Sequence, residues 1–413
     1  MTGYTGFISV VGDPAEPTID AAGNVVVSSP PQRTGTAEEA VRVAARRNNV
    51  FDADPAQRDK LESWSRAIAA QTAAQPPQQL LDECLKQPGA DSPGGHVLFR
   101  GFWCQKRTVH GGIIVNGKIE GEFWVDYRAA AIGNPFVRKT HVFFRGDDYR
   151  TEGTFSGWST LGLKYECRVL TVGCTADKGF VTKDIGDWDD GDWVDWTMDS
   201  DERQSSQEPE RVLRHILGLT GQAIDDFGRP TVTGSGDITG FRCDSANYFP
   251  SPLRCVFTDV IPRLNYNFGN GYDEVVHHIR KAQNQPAQTY PNYGTPKNIP
   301  GKWASDASQP PLTRVQYNGE DWKKNAAEKD RACDKQPPYT GPGQLPDFDK
   351  TTRQCDEYPF ATTQQGAGKG DGNFSIQDVP KEQNGLAGNA LQWYLEWDRI
   401  LYKDLDNYWV KAG

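Results

Sequence analysis

The spacing of apolar residues changes character several times along this chain. Residues 1–34 show no sustained period. Pro, Gly, Ser and Thr dominate them and predict a loose arm. Residues 36–90 carry helical signals. Thr36-Ala37-Glu38-Glu39 resembles a capping box ahead of an Ala- and Val-rich run. Asp54-Pro55 then opens a second helix, with Leu61, Trp64, Ile68 and Ala69 at helical spacing. Near His96 the pattern shortens. Residues 97–103, 112–115, 121–127, 141–145 and 163–172 are short runs rich in Val, Ile, Phe, Tyr and Trp, separated by glycine-containing turns. Asn116-Gly117 between two apolar runs is the clearest hairpin signal. Repeated short strands of this kind predict an antiparallel sandwich or barrel over about 96–260.

Beyond Asp273 helical spacing returns. Residues 274–282 read as a helix, 284–350 as mostly loop with short helices, and 384–401 as one long helix. Leu386, Ala390, Leu391, Tyr394, Leu395 and Trp397 make the apolar face of that last helix. Residues 405–410 are placed to close a sheet. The expected class is α+β, in three parts: 1–95 a flexible arm with helices, 96–260 a Trp-rich antiparallel β domain, and 261–413 a C-terminal domain.

Composition narrows the class. A length of 413 residues predicts two or three domains, and 12 Trp argue against a disordered chain. No apolar run reaches the roughly 18 residues of a membrane span. The eight cysteines fall into sequence-adjacent pairs: Cys84 with Cys104, Cys167 with Cys174, Cys243 with Cys255, and Cys333 with Cys355. An even count at close spacing points to disulfides and an oxidising compartment, the alternative being eight buried thiols. Zinc is disfavoured, because no Cys-x2-Cys pair or finger-spaced histidine occurs. Met1-Thr2-Gly3-Tyr4 does not read as a signal peptide, which leaves the export route open. The net charge of −10 counts against a polyanionic substrate. The acid is concentrated in 184–202, however, and residues 280–353 are nearly balanced by cations that include Arg314 and Lys329.

One stretch carries candidate chemistry. In Arg353-Gln354-Cys355-Asp356-Glu357-Tyr358-Pro359-Phe360-Ala361 two adjacent carboxylates precede a core-like apolar anchor. Such an anchor holds acids in place, as a metal site or general base requires. The plain alternative is a solvated acidic turn. The Trp- and Asp-rich stretch 187–196 invites a calcium-loop reading, but the twelfth position holds Met198 instead of a glutamate. Alternation across a strand explains it more simply.

The stretch at 355–363 resembles the signature of the NucA/NucB-type deoxyribonucleases, Cys-Asp-Glu-Tyr-Pro-Phe-Ala-Ser/Thr-Thr. Gln365-Gly366-Ala367, Val379-Pro380, Gln383-Asn384, Ala387-Gly388-Asn389, Arg399-Ile400-Leu401 and Tyr408-Trp409-Val410 extend the resemblance. Upstream, His278-Ile279 with Ala282-Gln283 resembles the helix these proteins place before the catalytic segment, and Cys243-Asp244, Cys255-Val256-Phe257 and Ile261-Pro262 resemble the approach found in the longer secreted actinobacterial members. The resemblance covers about 240–413. It implies a ββα-metal-like nuclease core in 261–413, with a divalent Mg²⁺ or Mn²⁺ and an acid that activates water. Better-known relatives use histidine as the base, and here the matching place holds Glu357, with Asp356 beside it. The resemblance leaves open which acid is base and which is ligand. It makes Asn384 the candidate helix ligand and Asn389 a second one, whose alternative is a helix-surface amide. Arg353 becomes a phosphate-binding fork or a surface salt bridge, and Arg314 a second substrate-binding cation. His278 is either a cleft residue or a structural histidine. A Cys333–Cys355 disulfide would clamp the intervening loop and stabilise by roughly 3 kcal/mol.

The implied function is a largely sequence-nonspecific endodeoxyribonuclease, secreted, acting on DNA and not on membranes. Two alternatives remain at this stage. One is a toxin-like effector loaded into a secretion or injection apparatus, with an inhibitor or immunity protein as partner. The other is a binding protein whose nuclease domain is degenerate; intact Asp356, Glu357 and Asn384 argue against it.

Overall fold

The computed structural model describes residues 3–14, 16–29, 53–70, 75–168, 172–205, 209–251, 254–305, 308–403 and 406–413. The helix expected after Thr36-Ala37-Glu38-Glu39 lies outside these residues. What is described is a mixed α+β fold built mostly from strands. It divides into two compact units, residues 1–49 with 62–260 and residues 50–61 with 261–413.

The first unit is dominated by two antiparallel sheets. One has the order β1 (Tyr4–Val10), β5 (Phe102–Val115), β6 (Lys118–Gly133), β7 (Lys139–Gly153), β11 (Val194–Ser200) and β9 (Cys174–Ala176), with β4 (His96–Phe99) also on β5. The other has the order β10 (Val181–Asp184), β8 (Thr160–Cys167), β12 (Leu213–Ile224), β13 (Pro230–Asp244) and β14 (Arg254–Phe257). A short ribbon of β2 (Thr18–Ile19) and β3 (Val25–Val26) stands apart. Asn116 and Gly117 both take positive φ, at 51° and 77°, as a two-residue primed turn between β5 and β6 demands. The two sheets meet through aromatic rings. Phe144 on β7 stacks on Tyr127 of β6 at 4.8 Å and meets Tyr165 of β8 at 6.4 Å, and Tyr165 meets Trp196 of β11 at 5.5 Å.

Three expectations for this unit need correction. Tyr4–Val10 is not a loose arm: all seven residues pair with 109–115, and Phe7, Ile8 and Val10 are buried. Its apolar alternation is too brief to stand out against Gly- and Thr-rich neighbours. The run 97–103 is two strands, β4 and β5, which pair with each other from Phe99 to Phe102. The Trp- and Asp-rich stretch begins as a helical turn, Ile185–Asp189, and becomes strand only at Val194. Burial then alternates on Trp196, Met198 and Ser200. Trp188 is buried from the turn, with its indole N–H donating to Leu161 O at 3.1 Å.

Helix α1 (Arg58–Ala69) follows a short turn that the Asp54 carboxylate caps by accepting from Ala56 N at 2.9 Å. Leu61, Trp64 and Ile68 are its buried residues, at the spacing the sequence predicts. Helix α2 (Gln78–Leu85) is joined to β5 by the Cys84–Cys104 disulfide.

The second unit holds a three-stranded sheet in the order β15 (Arg263–Tyr266), β19 (Asn407–Ala412) and β16 (Leu312–Thr313), with β15 parallel to β19. Beside it are helix α3 (Asp273–Asn284), helix α4 (Glu320–Cys333), the antiparallel pair β17 (Arg353–Tyr358) and β18 (Ser375–Pro380), and helix α5 (Lys381–Trp397), which starts directly after Pro380. Helix α4 corrects the loop expectation for 284–350. It runs 14 residues yet buries only Asn325, Ala332 and Cys333, so it shows no apolar stripe for a period search to find. Leu386, expected on the apolar face of α5, is 42% exposed, and the helix ends at Trp397, short of 401. Ala332, Cys333, Leu345, Ala367, Phe374 and Ile376 form a small core between α4 and the strand pair.

All eight cysteines are paired, as 84–104, 167–174, 243–255 and 333–355. Peptide mass mapping without reductant will recover these four links. Phe144→Ala removes one of the rings that join the two sheets, so urea unfolding will show a loss of about 3–5 kcal/mol.

Candidate active site

Strand β17 is the centre of the site, and its pleat decides which residues do what. Successive side chains on a strand point to opposite faces. Arg353, Cys355 and Glu357 therefore share one side, and Asp356 and Tyr358 share the other. The first set lines an open cleft of about 470 Å³. Lys329, Asp330 and Cys333 of α4, with Asp334 just after it, form a second wall, Phe348 and Lys350 the loop wall, and Lys381 and Asn384 of α5 a third. Gln354 lies at the rim and accepts a hydrogen bond from the Asn384 amide nitrogen at 3.2 Å.

The other side of β17 is bolted to α3: His278 Nδ1 lies 2.7 Å from Asp356 Oδ2, and Gln283 donates to Tyr358 Oη at 2.9 Å. Glu274 of the same helix also reaches the guanidinium of the cleft-side Arg353, at 2.6 Å. Glu274 and His278 stand four residues apart, one turn of helix, and so meet neighbouring points of the strand. His278 is fully buried, and its Nε2 is 2.7 Å from Ser375 Oγ on β18. Ser375 is the cross-strand neighbour of Tyr358. The two ring nitrogens of His278 are taken up by the Asp356 carboxyl and the Ser375 hydroxyl. Ser375, His278 and Asp356 thus form a hydrogen-bonded chain in the interior. Its order matches a nucleophilic triad, but Ser375 and His278 have no exposure to solvent, so the chain positions and does not attack.

The two adjacent acids therefore separate. Asp356 faces inward to His278. Glu357 faces the cleft, and burial pushes its carboxyl up to about 7, with Lys329 opposing the rise and Asp356 adding to it. One Glu357 oxygen accepts from Ala361 N at 3.3 Å. Burial pulls the Lys329 ammonium down, but Glu357, Asp330 and Asp356 more than offset this, so it stays raised and charged. Lys329 is the residue that sequence reading counted without singling out. It stands four residues before Cys333, on the face that the Cys333–Cys355 disulfide holds against β17. The loop reading of 284–350 hid that helical register.

The other candidates divide. Asn384, in the first turn of α5, lines the cleft. Asn389 is exposed and does not line it; five residues on, it lies about 140° round the helix. Arg353 lines the cleft, but its guanidinium is held by Glu274 and by the Asp378 carboxylate and carbonyl. Both alternatives raised for it thus hold in part: it is a salt-bridged residue at the cleft. Arg314 is elsewhere. It donates to Ile400 O at 2.7 Å and stacks over Tyr402 at 5.0 Å, packing that anchors the chain after α5. No group of three or more His, Cys, Asp or Glu side chains placed for a metal occurs among the described residues. A metal here would rest on a sparse set of oxygens, chiefly Glu357 and Asn384. Such a set suits Mg²⁺, which keeps several of its waters.

Residues 302–398 match a family model described as Deoxyribonuclease NucA/NucB. No curated protein and no solved structure matches the chain. The matched stretch contains α4, β17, β18 and α5, which supply the cleft residues, while α3 lies upstream of it. The cleft of the second unit is thus built from the stretch that matches this deoxyribonuclease family model.

Proposed function

We propose that this chain is a metal-dependent endodeoxyribonuclease with little sequence preference, and that Glu357 is its general base. One observation carries the reading. Glu357 from a strand and Asn384 from the first turn of the following helix meet in one cleft with Lys329, Lys350 and Lys381. A strand pair supplying the base and the next helix supplying a neutral oxygen ligand is the ββα-metal arrangement.

The chemistry follows from the residues present. Glu357 takes the proton from the attacking water. The lysines hold backbone phosphates, contacts that carry no sequence information. Gln354 orients the Asn384 amide through their hydrogen bond. Asn384 and Glu357 would hold a Mg²⁺ or Mn²⁺, whose chemistry is to offset charge developing on the phosphate and the leaving oxygen. Arg353, tied to Glu274 and Asp378, fixes the edge of the cleft and adds a positive field. Asp356 and His278 are positioning residues.

DNA is the substrate that a deoxyribonuclease domain implies, and no helix among the described residues is long and apolar enough to cross a membrane. The four disulfides support an oxidising, extracellular setting.

Plasmid nicking with Mg²⁺ or Mn²⁺, stopped by EDTA, is the direct test. Wild-type protein that cuts equally well in EDTA would remove the metal from the mechanism. Glu357→Gln will lower the rate by about 10²–10⁴-fold, the usual contribution of a general base. Lys329→Ala will raise KM and flatten the salt dependence more than it lowers kcat. A second test reads stability. The unfolded Glu357 ionises near the ordinary glutamate value, while the folded one keeps its proton to about 7. Its contribution to stability is therefore present at low pH and lost as pH rises through that window. In EDTA, Glu357→Gln will gain melting temperature relative to wild type between about pH 5 and 8. A gap that stays constant with pH would show that Glu357 is not held up by burial.

A further inference from the structure

The first unit displays large rings that its own core does not use. Trp158 is 84% exposed and Phe227 75% exposed, and they sit on two loops that are tied together. Ser156 Oγ and Ser159 Oγ, on either side of Trp158, both donate to Asp226 Oδ1, at 2.9 and 2.6 Å. Asp226 N donates to Thr154 O at 3.1 Å. The Phe227 loop is tightened further by Asp225, which accepts from Phe227 N and Arg229 N at 3.1 and 2.8 Å. Arg229 lies over the Phe227 ring at 5.6 Å and over Tyr4 at 5.9 Å. Gly157 packs so closely over Tyr149 that a Cβ there would come within 3.1 Å of the phenol oxygen. The two loops that carry the rings are thus tied to each other. Isolated surface aromatics are ordinary, but a fixed group of them marks a binding surface.

The surrounding charge selects the ligand. The turn Ile185–Asp189 is hydrogen-bonded to the Trp158 loop, with Gly186 N donating to Gly157 O at 2.9 Å. It brings the exposed Asp187 and Asp189 alongside. Arg229 is already engaged by Asp225 and Glu120, both at 2.8 Å. An acidic surface whose cation is neutralised repels phosphodiesters and anionic lipid headgroups. It suits a ligand with apolar faces and neutral hydroxyl donors. A pyranose ring is such a ligand: its C–H face stacks on an aromatic ring, and its hydroxyls donate to carboxylates. We propose that Trp158 and Phe227 form a binding platform for a neutral polysaccharide, with the second Asp226 oxygen accepting from a sugar hydroxyl.

The test is co-sedimentation of the full chain with insoluble chitin and with microcrystalline cellulose. Vesicles of phosphatidylcholine and phosphatidylglycerol, and single-stranded DNA with EDTA present, are the comparison ligands. Wild-type protein is expected to pellet with at least one polysaccharide. Trp158→Ala with Phe227→Ala should cut the bound fraction by about tenfold or more, as loss of a central aromatic anchor does. Trp158→Phe should retain part of it, and plasmid nicking should not change in any variant. Matching melting temperatures keep the comparison free of misfolding. No pelleting with either polysaccharide would overturn the proposal. So would binding that survives the double substitution, or binding to vesicles or DNA alone that depends on these two rings.

Discussion

A carboxylate taken out of water must find donors, and in this protein the inward-facing Asp356 finds His278. That contact sets the second unit's working geometry. Removing one partner leaves the other's buried polar atoms without a hydrogen bond, at a cost of about 1–3 kcal/mol. The pair is also not isolated. Ser375 continues it into β18, Glu274 reaches Arg353 one helical turn before His278, and Gln283 reaches Tyr358 five residues after it. Helix α3 thus grips β17 along its length. A strand gripped on one face has no freedom in how it presents the other, and the other face carries Glu357.

The opposite face is fixed by a covalent bond. Cys355 lies between Arg353 and Glu357 on the cleft side and is linked to Cys333 of α4. Lys329, one turn earlier on α4, is thereby kept near Glu357. The consequence is electrostatic. Burial alone would make Glu357 a neutral acid over a wide pH range; the ammonium opposes this, and the balance falls near neutrality. That balance suits the role proposed for Glu357, which is to take a proton from water.

Much of this was legible in the sequence, for reasons that differ by element. The candidate catalytic segment was legible because chemistry and anchor are adjacent in it: Asp356-Glu357 followed by Tyr358-Pro359-Phe360. The hairpin at Asn116-Gly117 was legible because few residues other than Asn and Gly accept positive φ there. The cysteine pairs followed from their order along the chain. Helix α4 was not legible, because it lies against the core through Asn325, Ala332 and Cys333 and leaves no apolar period. Arg314 misled for the opposite reason. A cation in a nuclease-like segment suggests phosphate, while this one is committed to a backbone carbonyl and a tyrosine ring. Charge counts carry no information on whether a guanidinium is already occupied.

The question that sequence left open was which of two neighbouring acids takes the proton. Strand geometry supports Glu357 without appeal to acidity. Had Asp356 and Glu357 lain on a helix or in a turn, both could have reached the cleft as a like-charged pair sharing a proton. On β17 adjacent side chains must diverge, so only one can face the substrate. The register with β18, where Tyr358 opposes Ser375, places the inward acid within reach of the histidine that also bonds Ser375. A shift of one residue would exchange the two roles and leave a glutamate buried against α3. The core-like Tyr358-Pro359-Phe360 segment opposes that shift, because it would bring the phenol of Tyr358, now bonded to Gln283, into the open cleft.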